Sequence, residues 1–303
     1  MKHITFYKYV EIEDAEAFVK NHLEFCKFLD LRGKIHAGME GINGSLSGEE
    51  KAIENYMESM KKDPRFNDID FKISEIEKHA FGKMFVRLKK EIVSSGMGVN
   101  IKNKAPYIEA KELKKMLDND EDVVLIDVRN SYEHEIGHFE NAVMPKSETY
   151  REWPSIVESQ LKKYKDKKII TYCTGGVRCE KATAYLKGQG FKDVSQLHGG
   201  IIKYGIECSD SHWKGKCFVF DDRRVVDLDP NKNNGPITQC VMCKMPSSEL
   251  HNCAYVKCDK MFTACPECLK LLEGCCSRNC RNIKNRDSQR EIKTPRFEEE
   301  IVA

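Results

Sequence analysis

Over the first ninety positions the alternation of hydrophobic and polar residues changes period several times. Ile4–Val10 alternates with period two, as a half-buried strand does. Asp14–Leu31 then carries apolar residues at helical spacing, with Asp14 in position to cap the N-terminus. Gly33–Met39 and Ile42–Leu46 read as two strands about a glycine-containing bend, and Glu49–Lys62 as a second helix stopped before Pro64. Strands at Asp70–Ser74 and Met84–Lys90 follow. The order βαββαβ predicts a ferredoxin-like (acylphosphatase-like) α+β domain over residues 1–95, with helices on one face of an antiparallel sheet. Within it, Glu40-Gly-Ile-Asn-Gly-Ser-Leu-Ser-Gly48 holds three glycines and an asparagine in nine residues. Such a segment is either a hairpin with demanding turns or a surface that a ligand approaches closely.

Residues 96–105 read as a linker. Beyond it, Val123–Arg129 is a buried strand ending in Asp-Val-Arg, and Val194–Leu197 is another. Between them the strand Lys168–Tyr172 runs straight into Cys173-Thr174-Gly175-Gly176-Val177-Arg178, and helical character resumes from about Arg178 to Gly188. A thiol beside a glycine-rich turn, a helix N-terminus and an arginine is shifted toward its thiolate, which makes Cys173 the candidate nucleophile.

These motifs, with Gly137-His138 and His198-Gly199-Gly200, resemble the rhodanese domain over about residues 106–205. The resemblance implies an α/β domain with a parallel sheet, placed at 106–214. It also implies that Cys173 becomes a persulfide held by the loop N–H groups of Thr174, Gly175, Gly176 and Val177 and by Arg178. The loop from Cys173 to Arg178 has six residues, the length of the sulfur-handling members, whereas the related phosphatases have a longer one. The position after the arginine, usually Ser or Thr, is Cys179. A thiol there either resolves a persulfide or closes a disulfide with Cys173, or it simply replaces a serine at a helix start.

Net charge is +2, and no apolar run approaches membrane-spanning length. The first residues enter a strand pattern at once, which leaves no room for a signal peptide and predicts a cytoplasmic protein with no membrane partner. Nine of the fourteen cysteines lie between Cys240 and Cys280. In a reducing compartment such a cluster binds metal. It divides into Cys240-x2-Cys243, Cys253-x4-Cys258, Cys265-x2-Cys268 and Cys276-x3-Cys280, with His251 and Cys275 nearby. Eight thiolates make two tetrahedral zinc sites, paired either alternately as a cross-brace or in sequence. Zinc here is expected to be structural, because so short a segment has little apolar content of its own. The C-terminal Cys-rich region, 215–303, opens with a hairpin pattern at Lys216–Asp227. It closes with a basic stretch (Arg278, Arg281, Lys284, Arg286, Arg290, Lys293, Arg296) and an acidic end, Glu298–Glu300.

The combination of Glu40-Gly-Ile-Asn-Gly, Cys173-Thr-Gly-Gly-Val-Arg-Cys-Glu-Lys181, Gly215-Lys-Cys-Phe-Val-Phe-Asp-Asp-Arg223 and a Cys-rich end resembles the rhodanese-domain tRNA uridine-34 hydroxylases over nearly the whole chain. The resemblance implies oxygen-dependent conversion of the wobble uridine to 5-hydroxyuridine, with molecular oxygen as co-substrate, the tRNA anticodon loop as partner and Cys173 as catalytic cysteine, joined by Arg178 and Cys179. No organic cofactor is evident: no Gly-x-Gly-x-x-Gly follows a strand, and His22-x-Glu24 and His138-x-Glu140 are no more than chance matches to an iron motif. A plain sulfurtransferase, charged by a sulfur donor and passing persulfide sulfur from Cys173 to a small thiol or carrier protein, is the competing activity. A non-enzymatic RNA- or protein-binding module is the third.

Overall fold

The first sheet is built from β1 (Lys2–Tyr9), β2 (Arg32–Gly38), β3 (Gly41–Gly48), β4 (Lys72–Glu75) and β5 (Met84–Leu88), with α1 (Ala15–Phe28) and α2 (Glu50–Lys62) between them. In this computed structural model residues 1–229 and 231–293 are described, residues 288–293 by their backbone alone. Strand order is β4-β1-β3-β2-β5. The first four strands pair antiparallel in the expected ferredoxin-like arrangement, and β5 adds to the edge, parallel to β2. Asp14 caps α1 by accepting the Ala17 N–H at 2.9 Å. The helix ends at Phe28, three residues before the expected Leu31, because Asp30 takes φ 51° and turns the chain into β2. Asp63 is extended ahead of Pro64, where the proline ring disfavours helix, and α2 stops there. Phe6, Ile35, Leu46, Tyr56 and Phe66 form the centre of this domain's core.

The glycine-rich segment is β3, the middle strand of that sheet. Its glycines answer a packing demand, since a Cβ on Gly44 would lie 2.6 Å from the Phe6 ring. The same stretch, at Asn43–Ser45, also lines a cleft.

The second sheet is fully parallel, order β6-β10-β9-β7. Its elements run β6 (Tyr107–Ile108), α3 (Ala110–Asp118), β7 (Val124–Asp127), α4 (Ser131–His134), β8 (Gly137–Phe139), α5 (Trp153–Ile156), β9 (Lys168–Tyr172), α6 (Val177–Gly188), β10 (Asp193–Leu197) and α7 (Gly200–Cys208). Side chains alternate along β9: Ile169 packs with Trp153 and Leu186 on one face, Ile170 and Tyr172 with Leu113 and Tyr204 on the other. Helices therefore cover both faces, which is why these strands read as continuous apolar runs. After α7, β11 (Trp213–Gly215) pairs with β8, and β12 (Cys217–Phe218) pairs with β13 (Val225–Val226) in the expected hairpin.

The chain divides into two compact units, Met1–Asn234 and Gly235–Ala303. The second contains β14 (Leu250–Asn252) antiparallel to β15 (Met261–Thr263), α8 (Pro266–Leu271) and α9 (Arg278–Lys293). Of the basic stretch, the Arg290 and Lys293 side chains and Arg296 lie outside the described residues, as do Glu298–Glu300. Among the described residues no helix is long and apolar enough to cross a membrane.

Candidate active site

Cys173 follows β9 at the carboxyl end of the parallel sheet, where open α/β sheets place ligands. Its Sγ accepts the Gly176 N–H at 3.2 Å. The loop's first two carbonyls are occupied elsewhere: Cys173 O accepts from Ile201 N at 3.0 Å and Thr174 O from Ile202 N at 3.1 Å. That tie to the start of α7 requires Gly200, which has φ +65° and whose Cβ would lie 2.3 Å from Cys173 O. The His-Gly-Gly turn thus holds the active loop in shape from behind. Gly176 caps α6, Gly175 precedes it, and Val177 is the first helical residue. Thr174 Oγ1 is buried in the loop with its hydrogen-bonding capacity unused.

Arg178 is buried and forked onto Glu133, at 2.5 and 2.7 Å. Glu133 also accepts the Asn130 N–H at 3.0 Å as part of the α4 capping box, and Tyr150 OH donates to Arg178 O at 2.6 Å. The guanidinium is thereby a fixed charge. Burial pushes the Cys173 thiol up; the Cys179 side chain, the Arg178 charge and the backbone N–H groups of Arg178 and Cys179 outweigh it and bring the thiol down to about 6. Cys179, fully buried, moves the opposite way, by burial first and then by the neighbouring sulfur. The pair therefore divides into one thiolate and one thiol.

The residues just after the loop join the two sheets' domains. Glu180 accepts from Tyr7 at 2.8 Å and Tyr107 at 2.5 Å, and pairs with Lys104 at 2.8 Å. Lys181 pairs with Glu40 at 2.9 Å and Glu91 at 2.8 Å. Both are buried, which is tolerable because each is ion-paired. The ferredoxin-like domain in this way walls a cleft of about 1690 Å³ over the loop, lined by Tyr7, His36, Asn43 and Lys72 on its side and by Cys173, Arg178 and Phe220 on the other. Burial lowers the Lys72 ammonium, with Asp70 working against that.

In the second unit, Cys240, Cys243, Cys265 and Cys268 bring their sulfurs together, as do Cys253, Cys258, Cys276 and Cys280; within each set all Sγ atoms lie within 4.8 Å. The pairing is the interleaved one, and neither Cys275 nor His251 belongs to a set. A tetrahedron with Zn–S of about 2.3 Å has S–S edges of about 3.8 Å. Cys243–Cys265 is 3.7 Å, Cys258–Cys276 3.8 Å and Cys276–Cys280 3.6 Å, so the sulfurs are spaced to hold a metal ion. The Cys276 N–H donates to Cys253 Sγ at 3.3 Å, as backbone does to metal-bound thiolates.

Family models match residues 1–92 (UPF0176 acylphosphatase like domain), 109–207 (Rhodanese-like domain) and 214–281 (Rhodanase C-terminal). The tRNA uridine(34) hydroxylase of Cytophaga hutchinsonii is 43% identical over 281 residues, 92% of this chain and 89% of that one. Those of Enterococcus faecalis and Chlamydia felis are 43% and 40% identical, covering 91% of this chain and 89% and 86% of theirs. The chain belongs to the tRNA uridine(34) hydroxylase family.

For this hydroxylase-family chain the sequence motifs singled out the Cys173–Arg178 loop and the eight clustered cysteines, and the structure sets the loop in a cleft and gathers the cysteines into two groups of four that could hold a metal ion. They did not assign Glu133, Lys72, Tyr7 or Phe220. Tyr132-Glu133 stood inside the rhodanese pattern, but a partnership across 45 positions leaves no periodic trace. The two His-x-Glu matches are accounted for locally, with His22 bonded to Tyr56 OH at 2.9 Å and His138 to His134 O at 2.8 Å.

Proposed function

We propose that this chain hydroxylates C5 of the wobble uridine in the anticodon loop of tRNA, with Cys173 as nucleophile and dioxygen as co-substrate. The observation that carries the reading is a thiol lowered to about 6 at the foot of a cleft walled by the ferredoxin-like domain, in a chain of the hydroxylase family. A thiolate adding to uracil C6 makes C5 nucleophilic toward oxygen. One oxygen atom enters the C5–H bond as hydroxyl and the other leaves as water, which requires two electrons and two protons. Cys173 and Cys179 supply both by closing to a disulfide after the adduct breaks, and a cellular thiol reductant reopens it. The N–H groups of Gly176, Arg178 and Cys179 and the Arg178 charge hold the sulfur's negative charge. A base attacked at C6 has to be unstacked first, and tRNA anticodon loops present such bases. Two zinc ions on the eight thiolates would hold the C-terminal unit folded, and the protein would act in the cytoplasm with its tRNA.

A sulfurtransferase is the second reading, favoured by the six-residue loop, in which a sulfur donor charges Cys173 as persulfide. Mass spectrometry of tRNA nucleosides from a deletion strain complemented with wild type or Cys173→Ala separates the two. Return of 5-hydroxyuridine-derived nucleosides with wild type alone is expected. Equal nucleosides in both strains, with thiosulfate turnover by the purified protein, would replace hydroxylation by sulfur transfer.

A further inference from the structure

We infer that Phe220 is the platform on which the target base stacks while Cys173 attacks its other face; this rests on the tRNA reading above. Among the Phe and Tyr residues that line the cleft, Phe6, Phe81 and Tyr150 are buried, Tyr7 is half-buried with its hydroxyl committed to Glu180, and Phe220 is 57% exposed. It sits in the turn of the β12–β13 hairpin, inside Gly215-Lys-Cys-Phe-Val-Phe-Asp-Asp-Arg223, a motif for which the loop chemistry provides no use.

The ring is exposed but not loose. Phe218, itself buried, packs edge-on against it, with centroids 4.9 Å apart and planes at 87°. The hairpin turn is pinned by Arg223 forked onto Asp221, at 2.9 and 2.6 Å. Asp221 also lies 3.6 Å from His3 of the first sheet, and the Asp222 N–H donates to Ala80 O at 2.9 Å. The Arg178 guanidinium, which holds down the Cys173 thiol, stands 5.5 Å from the Phe220 centroid. Ring and sulfur therefore share one immobilised cation as a neighbour and line a single cleft.

Attack at C6 makes a demand that an exposed ring in this cleft would meet. The nucleophile arrives perpendicular to the pyrimidine plane, so the base must be held by its opposite face. An aromatic ring does this without regard to hydrogen-bonding pattern, and its truncation to alanine typically weakens binding of the stacked base by roughly 10- to 100-fold.

The test is a binding cycle on the full-length protein, with an anticodon stem-loop carrying uridine at position 34 and the same stem-loop abasic there. Phe220→Ala should weaken the uridine form at least tenfold and the abasic form less than twofold. Phe220→Trp should retain tight binding, and Phe220→Leu, which keeps apolar bulk without a π face, should behave like alanine. Equal weakening of both stem-loops, or none, would overturn the platform, as would full rescue by leucine. Nucleoside analysis of the wild-type reaction runs alongside: wild type that binds and hydroxylates while Phe220→Ala matches it sinks only this inference. Wild type that does neither removes the tRNA reading and this one with it.

Discussion

Cys173 is held between opposing effects, burial against a cluster of donors and one fixed cation. With the thiol lowered to about 6, its alkylation by iodoacetamide should rise through pH 6 and be flat from 7 to 9, whereas an ordinary thiol still gains rate near 8.5. A midpoint near 8.5 in stopped-flow alkylation would mean that burial dominates. Arg178→Met would leave Glu133 charged and alone in the interior, at a cost of about 3–5 kcal/mol by urea denaturation. Adding Glu133→Met should recover most of that stability while the alkylation midpoint stays high, since no cation remains. Cys173 and its arginine stood out in the sequence because loop chemistry is local, with Arg178 five positions after Cys173. The glutamate and the exposed phenylalanine did not, because their partners come from other elements.

Among the elements, the active loop depends on the start of α7. Gly200→Ala would place a methyl group 2.3 Å from Cys173 O at a φ that L-residues avoid, so the loop must shift. The variant is expected to melt several degrees lower by calorimetry and to lose the low alkylation midpoint; a variant unchanged in both would show that the turn does not shape the loop. Helix and strand periodicity, with Asp14 and Pro64 as start and stop signals, placed the elements of the first domain to within a few residues. The parallel pairing of β5 on β2 escaped notice, since a parallel neighbour carries no turn signature linking the two strands. The Gly-rich segment was ambiguous for a related reason: its glycines are fitted to Phe6, a residue 38 positions away from Gly44, as well as to its own backbone.

For the molecule as a whole, spacing suggested two groups of four cysteines but left their pairing open, because C-x2-C motifs read the same under either connectivity. The interleaved arrangement means that Cys253 and Cys258 lie in the chain between Cys243 and Cys265, and that Cys265 and Cys268 lie between Cys258 and Cys276. Of the eight buried apolar positions described in this unit four are cysteines, the others being Leu250, Phe262, Ala264 and Leu272, so its own hydrocarbon core is small and a bound metal would supply much of its order. The first ion to bind closes a loop that already contains half of the other site's ligands, and it removes much of the search that the second ion would face. Loading should therefore be cooperative. With substoichiometric zinc, native mass spectrometry is expected to find metal-free and doubly loaded chains with few singly loaded ones. A statistical distribution would instead mean that the sites assemble independently.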